Sequence, residues 1–196
     1  PEFILLGRNG EELRLFRPGY LNSGRVSFSG THIVWDEYVP DTRWSNRNFS
    51  VVRSYEISTG KVRNLGRRTR YFSPAVSHDG SKVAVIEQTA QQQFFLVVLS
   101  LDGSVLHRVP SAGNRFIQYP AWMEGDSAVL VVESDGHGKS LVTMDPGVGL
   151  WKTLFHSGLD DISNPAVSGG KIYFNGTFSG IDNIYCHDVL TNETFQ

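Results

Sequence analysis

One segment is written four times along this chain. Ser73-Pro-Ala-Val-Ser-His-Asp-Gly-Ser-Lys-Val-Ala-Val-Ile-Glu87 has weaker copies at Ser23–Glu37, Tyr119–Glu133 and Asn164–Phe174. Aligned on Gly24, Pro74, Pro120 and Pro165, the copies start 50, 46 and 45 residues apart. A period of about 40 to 50 residues, each unit made of short strands, is that of a β-propeller blade. Such a unit cannot bury its own apolar faces and must stack on its neighbours.

Each copy reads as a first strand carrying Pro-Ala-Val or Pro-Ala-Trp, a turn, and a very apolar second strand such as Val83–Ile86 or Val129–Val132. Third strands follow at Phe49–Ile57, Phe94–Leu101, Ser140–Met144 and Asn183–Val189, and turn residues lead from each into a fourth. No stretch sustains a helical period. The continuous apolar runs fit strands covered on both faces. The chain is therefore predicted to be all-β: a β-propeller of four-stranded antiparallel blades, with about four and a half blades present.

The expected division is a vector-like scar at 1–3, a two-stranded partial blade at 4–22, and whole blades at 23–70, 71–115 and 116–161. A three-stranded partial blade is expected at 162–196. Both ends read as cut from a longer chain. The N-terminal strands could complete the last blade, or an open arc could associate with something else; the pattern leaves both open.

Composition excludes little. The 40% hydrophobic and 19% charged content is that of a globular domain. No run of about 18 apolar residues predicts a membrane span, and no segment reads as a signal peptide. Cys186 is the single cysteine, so an internal disulfide is excluded and the redox compartment is left open. Residues 1–70 hold 12 Lys and Arg against 7 Asp and Glu, whereas the remainder holds 6 against 13. An acidic patch on a partner could dock on the first blades. Nucleic acid is a poorer partner, given a net charge of −2 and no binding motif.

Ser73–Val85 resembles the Ser-Pro-x-Trp-Ser-Pro-Asp-Gly-x-x-Ile-Ala-Phe repeat of TolB-like, WD40-like propellers of bacterial envelope proteins. Gly180-Ile-Asp-Asn-Ile-Tyr185 is similar to those proteins too. The resemblance covers Ser23 to Thr191. It departs from the repeat at His78, which stands where the family has Pro, and it implies a six- or seven-bladed ring that binds other proteins, in the periplasm or outer envelope. Some relatives instead carry a peptidase.

Catalytic chemistry is thin. Gly136-His-Gly-Lys-Ser140 lacks the first glycine and the following helix of a phosphate-binding loop. No Gly-x-Ser-x-Gly occurs. Cys186, His187 and Asp188 are consecutive on a strand and alternate faces. The other histidines show no zinc-ligand spacing. No catalytic residue, metal or cofactor is assigned.

Register is more informative. Glu37, Glu87 and Glu133 each lie 11 residues past the matching first-strand position (Val26, Val76, Trp122). They should share one propeller face with the interblade loops bearing Arg67, Arg68, Arg70 and Arg115. These carboxylates either pair with the arginines to lock adjacent blades or form a site for a cation or a ligand amine. The same face should carry the longest excursion, Tyr38–Asn48, where Arg43, Trp44 and Arg47 are the first choice for partner contacts. The reading is a non-catalytic module for protein or peptide binding within a larger envelope-associated protein. The alternative is a propeller that gates substrate for a hydrolase or peptidase domain lying elsewhere in the parent chain. A sugar- or cation-binding role for the Glu set is weaker.

Overall fold

The computed structural model describes residues 2–44 and 48–196. Its described residues form four antiparallel four-stranded sheets and one hairpin. Blade 1 is β3 (Leu21–Phe28), β4 (His32–Val39), β5 (Phe49–Glu56) and β6 (Lys61–Asn64), after the hairpin β1 (Phe3–Leu6) and β2 (Glu12–Phe16). Blade 2 is β7 (Tyr71–Val76), β8 (Lys82–Gln88), β9 (Phe94–Ser100) and β10 (Val105–Pro110). Blade 3 is β11 (Phe116–Trp122), β12 (Val129–Asp135), β13 (Gly138–Asp145) and β14 (Leu150–Gly158). Blade 4 is β15 (Ile162–Ser168), β16 (Lys171–Gly176), β17 (Asn183–Asp188) and β18 (Glu193–Phe195). The short β18 gives the last blade a fourth strand where the sequence showed three.

Stacking explains the apolar runs. Val83, Ala84, Val85 and Ile86 on β8 are all fully buried, as are Val129 to Val132 on β12. Both faces of these strands meet a neighbouring blade, so period-two alternation disappears. On β16 it returns: Ile172 and Phe174 are buried against blade 3, while Tyr173 is 40% exposed.

The N-terminal hairpin does not complete blade 4. It is a separate sheet laid on the other face of blade 1, where Phe3, Leu15 and Phe16 cover Ile33, Trp35 and Tyr55. Phe16 sits 4.6 Å from Trp35 and 4.5 Å from Tyr55 by ring centroids. Blade 1 offers an aromatic surface matching the hairpin's apolar side, so burial draws the hairpin there. Phe3, set apart as vector-like from sequence, is part of this cluster.

Each first strand is broken by a bulge, at the repeat's proline in blades 2, 3 and 4. The ladder shifts between Phe72 and Ala75, Gln118 and Ala121, and Ser163 and Ala166. Within each shift a left-handed residue precedes proline: Ser73 (φ 55°), Tyr119 (φ 54°) and Asn164 (φ 51°). Proline has no N–H to give a ladder, and the bulge places it where no ladder donor is required. In blade 1 the shift is wider, from Leu21 to Val26, with Gly24 at φ 71°. Its turn is correspondingly shorter, 29–32 between paired Phe28 and Ile33, against 77–82 between Val76 and Val83. Phe28, not Val26, is thus the ladder equivalent of Val76. From Phe28 the carboxylate is 9 residues away rather than 11. The wider bulge and shorter turn cancel over the whole hairpin, so Leu21 to Glu37 spans 16 residues as Tyr71 to Glu87 does.

Candidate functional site on the first two blades

The carboxylates do occupy one rung. Glu37, Glu87 and Glu133 pair across the ladder with Leu21, Tyr71 and Ile117, and Gly176 holds that position in blade 4 opposite Ile162. All three are engaged by arginine. Arg53 reaches Glu37 at 2.9 Å, Arg108 reaches Glu87 at 2.7 Å, and Arg115 reaches Glu133 at 2.8 Å. Only Arg115 is among the interblade-loop arginines expected as partners; the other two pairs use third- and fourth-strand residues of the same blade. A ladder neighbour is fixed in position by the sheet, whereas a loop arginine must be ordered to reach, so the strand residue prevails.

Glu37 is 5% exposed and also accepts from Trp35 Nε1 at 2.7 Å and the Gly19 amide at 2.8 Å. A side chain at Gly19 would collide with Glu37. Glu133 holds the Arg115 guanidinium above its ordinary pKa through their hydrogen bond and charge pairing. All three carboxylates are held by arginine within a blade rather than between blades.

The loop that lost those partners presents free cations. Leu65 is fully buried and anchors its base, and Thr69 is strapped to β5 by Ser50 N to Thr69 O (3.0 Å) and Thr69 Oγ1 to Ser50 O (2.8 Å). Between these anchors Arg67 and Arg68 are exposed, Arg68 in the left-handed region at φ 51°. Among the described residues no carboxylate lies within ion-pair distance of Arg67, Arg68 or Arg70. Two clefts flank this loop. One, of about 320 Å³, is lined by Asn22, Tyr38, Asn48, Ser50, Arg70 and Gln88, with Phe49 and Phe72. The other, of about 400 Å³, includes Val51, Arg53, Asn64, Arg67 and Arg68.

The long excursion leaves and re-enters the sheet at the first cleft. Asp41 Oδ1 accepts from the amides of Arg43 (2.8 Å) and Trp44 (3.2 Å), which turns the chain outward, and Trp44 is 60% exposed. Arg47 lies outside the described residues.

Other residues were missed in the sequence. Asp36 is fully buried where blades 2 and 3 have Ile86 and Val132. It accepts from Asn22 Nδ2 (3.1 Å), Ser23 Oγ (2.5 Å) and Ser23 N (3.2 Å), fixing the wide bulge, and from the blade 2 amide of Ser73 at 3.4 Å. An acid in the apolar register of the repeat is the signal that could have found it. Asp126 sits at the turn of blade 3 and receives the amides of His78 and Asp79 in blade 2, each at 2.9 Å. His78, the departure from the family's proline, donates an N–H that proline lacks.

His187 is buried against Thr194 Oγ1 at 2.9 Å, and Asp188 caps the turn amides of Leu190 and Thr191. Among the described residues no three His, Cys, Asp or Glu side chains converge on a common metal position, and no helix is long and apolar enough to cross a membrane.

The sequence matches no protein-family model and no curated protein. Solved structures do match. A TolB from Agrobacterium tumefaciens superposes with a TM-score of 0.75 at 15% identity, over 98% of this chain and 67% of that one. TolB from Acinetobacter baumannii gives 0.70 at 14% identity, over 98% and 47%. The fold is that of a TolB-like propeller. This TolB-like architecture is shared with enzymes: an oligogalacturonate lyase solved with manganese gives 0.68 at 16% identity, over 95% of this chain and 56% of that one. A puromycin-hydrolyzing peptidase of Mycobacterium tuberculosis gives 0.65 at 15%, covering 96% of this chain and 30% of the peptidase.

Proposed function

We propose that this chain is a non-catalytic propeller module that binds a protein or peptide within a larger, envelope-associated periplasmic protein. The observation carrying this reading is the pre-anchored loop whose Arg67, Arg68 and Arg70 have no acidic partner among the described residues. Trp44 stands exposed on the excursion that borders the Arg70 cleft. An acidic segment would supply the missing carboxylates, and an aromatic anchor beside arginine is the usual composition of an interface centre. Arg43 and Arg47 extend the cationic character along the same excursion. Glu37, Glu87 and Glu133 are framework on this reading, because each is already paired with an arginine.

The test is a binding titration of fluorescein-labelled acidic, neutral and basic peptides of equal length, repeated across ionic strength. The acidic peptide should bind best, and an Arg67→Ala/Arg68→Ala/Arg70→Ala variant with unchanged circular dichroism should weaken it at least about tenfold. Equal binding of all three peptides, or an unaffected triple variant, overturns the reading. The gating alternative draws support from the peptidase among the structural neighbours; a catalytic domain joined to this module in the parent chain would favour it.

A further inference from the structure

The first strands of all four blades converge on a funnel of about 480 Å³, remote from the arginine loop. Its walls mix apolar and polar surface. Prolines 74, 120 and 165 contribute no N–H, and the carbonyl of Ala75 is occupied by Trp122 Nε1 at 2.9 Å. Val26 and Phe28 leave apolar surface exposed, at 42% and 56%. A cavity of this volume accommodates a ligand of a few residues or less.

One charged side chain is delivered into this space by a dedicated backbone device. The wide bulge of blade 1, turned by left-handed Gly24 and held by Asp36, puts Arg25 on the funnel wall, with the Arg25 amide pinned to Ser23 Oγ at 3.2 Å. Its guanidinium lies 5.1 Å from the ring centroid of Tyr119, in blade 3. Nη1 is buried with no hydrogen-bond partner, and among the described residues no carboxylate lies within ion-pair distance. Asp36, the acid that acts on Arg25 at longer range, is occupied by Asn22, Ser23 and Ser73. Burial accordingly pulls the Arg25 pKa below its ordinary value. A carboxylate entering the funnel would give this half-buried guanidinium the charged acceptor it lacks among the described residues.

We propose that the central funnel is a binding site for a small carboxylate with an apolar body, such as the free C-terminal end of a peptide, with Arg25 as the residue that receives the carboxylate. One guanidinium suits one negative charge; the other basic side chain on the wall, His78, is already joined to Asp126 at 2.7 Å. The apolar groups on the wall, Val26, Phe28 and the three prolines, suit the body, with Ser27 and Ser29 beside them.

The test uses N-acetyl-L-phenylalanine, its amide, and inorganic phosphate, titrated against the whole chain with intrinsic tryptophan fluorescence and calorimetry as readouts. Saturable binding of the acid, at least about tenfold weaker for the amide and for phosphate, is expected. Arg25→Gln should abolish the preference for acid over amide. Ala121→Leu, which fills the funnel from blade 3 and leaves Arg25 in place, should weaken acid and amide alike. The Arg67/Arg68/Arg70 triple variant should bind the acid as the wild type does, which separates this site from the interface proposed above. Absence of saturable binding in the wild type, equal binding of acid and amide, or an Arg25→Gln variant that retains the preference overturns the proposal.

Discussion

Trp122 Nε1 donates to the carbonyl of Ala75 at 2.9 Å, across the seam between blades 2 and 3. Trp122 is 3% exposed, and its ring belongs to a core shared by Ala75, Ile86, Val98 and Val129. Replacing it by Phe keeps most of the packing but leaves a buried carbonyl without its donor. Trp122→Phe should cost about 1–2 kcal/mol, and Trp122→Ala about 3–5 kcal/mol because a cavity is added. Urea unfolding curves read both; a negligible loss in Trp122→Phe would mean that the hydrogen bond contributes nothing.

The three glutamates on one rung should differ sharply when removed. Glu37 is nearly enclosed and serves Arg53, Trp35 and Gly19, whereas the Glu87 and Arg108 side chains are 20% and 41% exposed. Glu37→Ala should destabilise by about 3 kcal/mol, since it strands buried donors. Glu87→Ala should cost less than about 1 kcal/mol. Thermal melts of the two variants, compared side by side, decide this.

Acid should loosen the junction between blades 2 and 3. Burial alone would raise the Asp126 carboxyl, but the amides of His78 and Asp79 and the His78 ring outweigh it and hold its pKa below the ordinary value. Asp79, bound by Ser77 and Ser81, is lowered to about 2. For a carboxylate depressed by folding, the stabilisation is present above its unfolded value of about 3.9 and disappears as pH falls through the folded value. Urea midpoints should hold steady from pH 7 to about 5 and then drop towards pH 2. Asp126→Asn should lower the plateau and make the drop shallower; an unchanged acid limb would exclude Asp126 as a contributor.

Gly24 offers a clean measure of backbone strain. A Cβ at this position would meet nothing within 4 Å, so Gly24→Ala perturbs only the left-handed conformation at φ 71°. The expected cost is about 1–2 kcal/mol. A neutral result would show that the wide bulge relaxes, and the Arg25 placement would then differ from that described.

The repeat made the blades legible, because its 45- to 50-residue period and apolar second strands follow directly from stacking sheets on both faces. The shared rung of Glu37, Glu87 and Glu133 was also readable, since ladder register converts spacing into position. Their partners were not: Arg53 and Arg108 lie on later strands, and pairing between strands is invisible in a linear spacing. The hairpin's place on blade 1 depends on the aromatic surface of Trp35 and Tyr55, which becomes a surface only after folding. Arg25 escaped notice because Val26 was matched to Val76, which hid the extra bulge residues that carry it.

The seams between successive blades share apolar packing but differ in the groups that supplement it. Between blades 1 and 2 the polar ties are Asp36 to Ser73 and Ser27 Oγ to the Val76 amide at 3.0 Å. Between blades 2 and 3 they are indole bonds from Trp122 and from Trp151 to Pro110 O at 3.0 Å, with the Asp126 turn contact. Blade 3 meets blade 4 through aromatic packing, Phe155 lying 5.7 Å from Phe174 and 5.9 Å from Phe178. The modules are therefore addressed rather than interchangeable. Swapping two of them in the gene would keep every internal ladder and much apolar contact yet bring together edges whose polar groups do not match, so the order of the copies is itself encoded information.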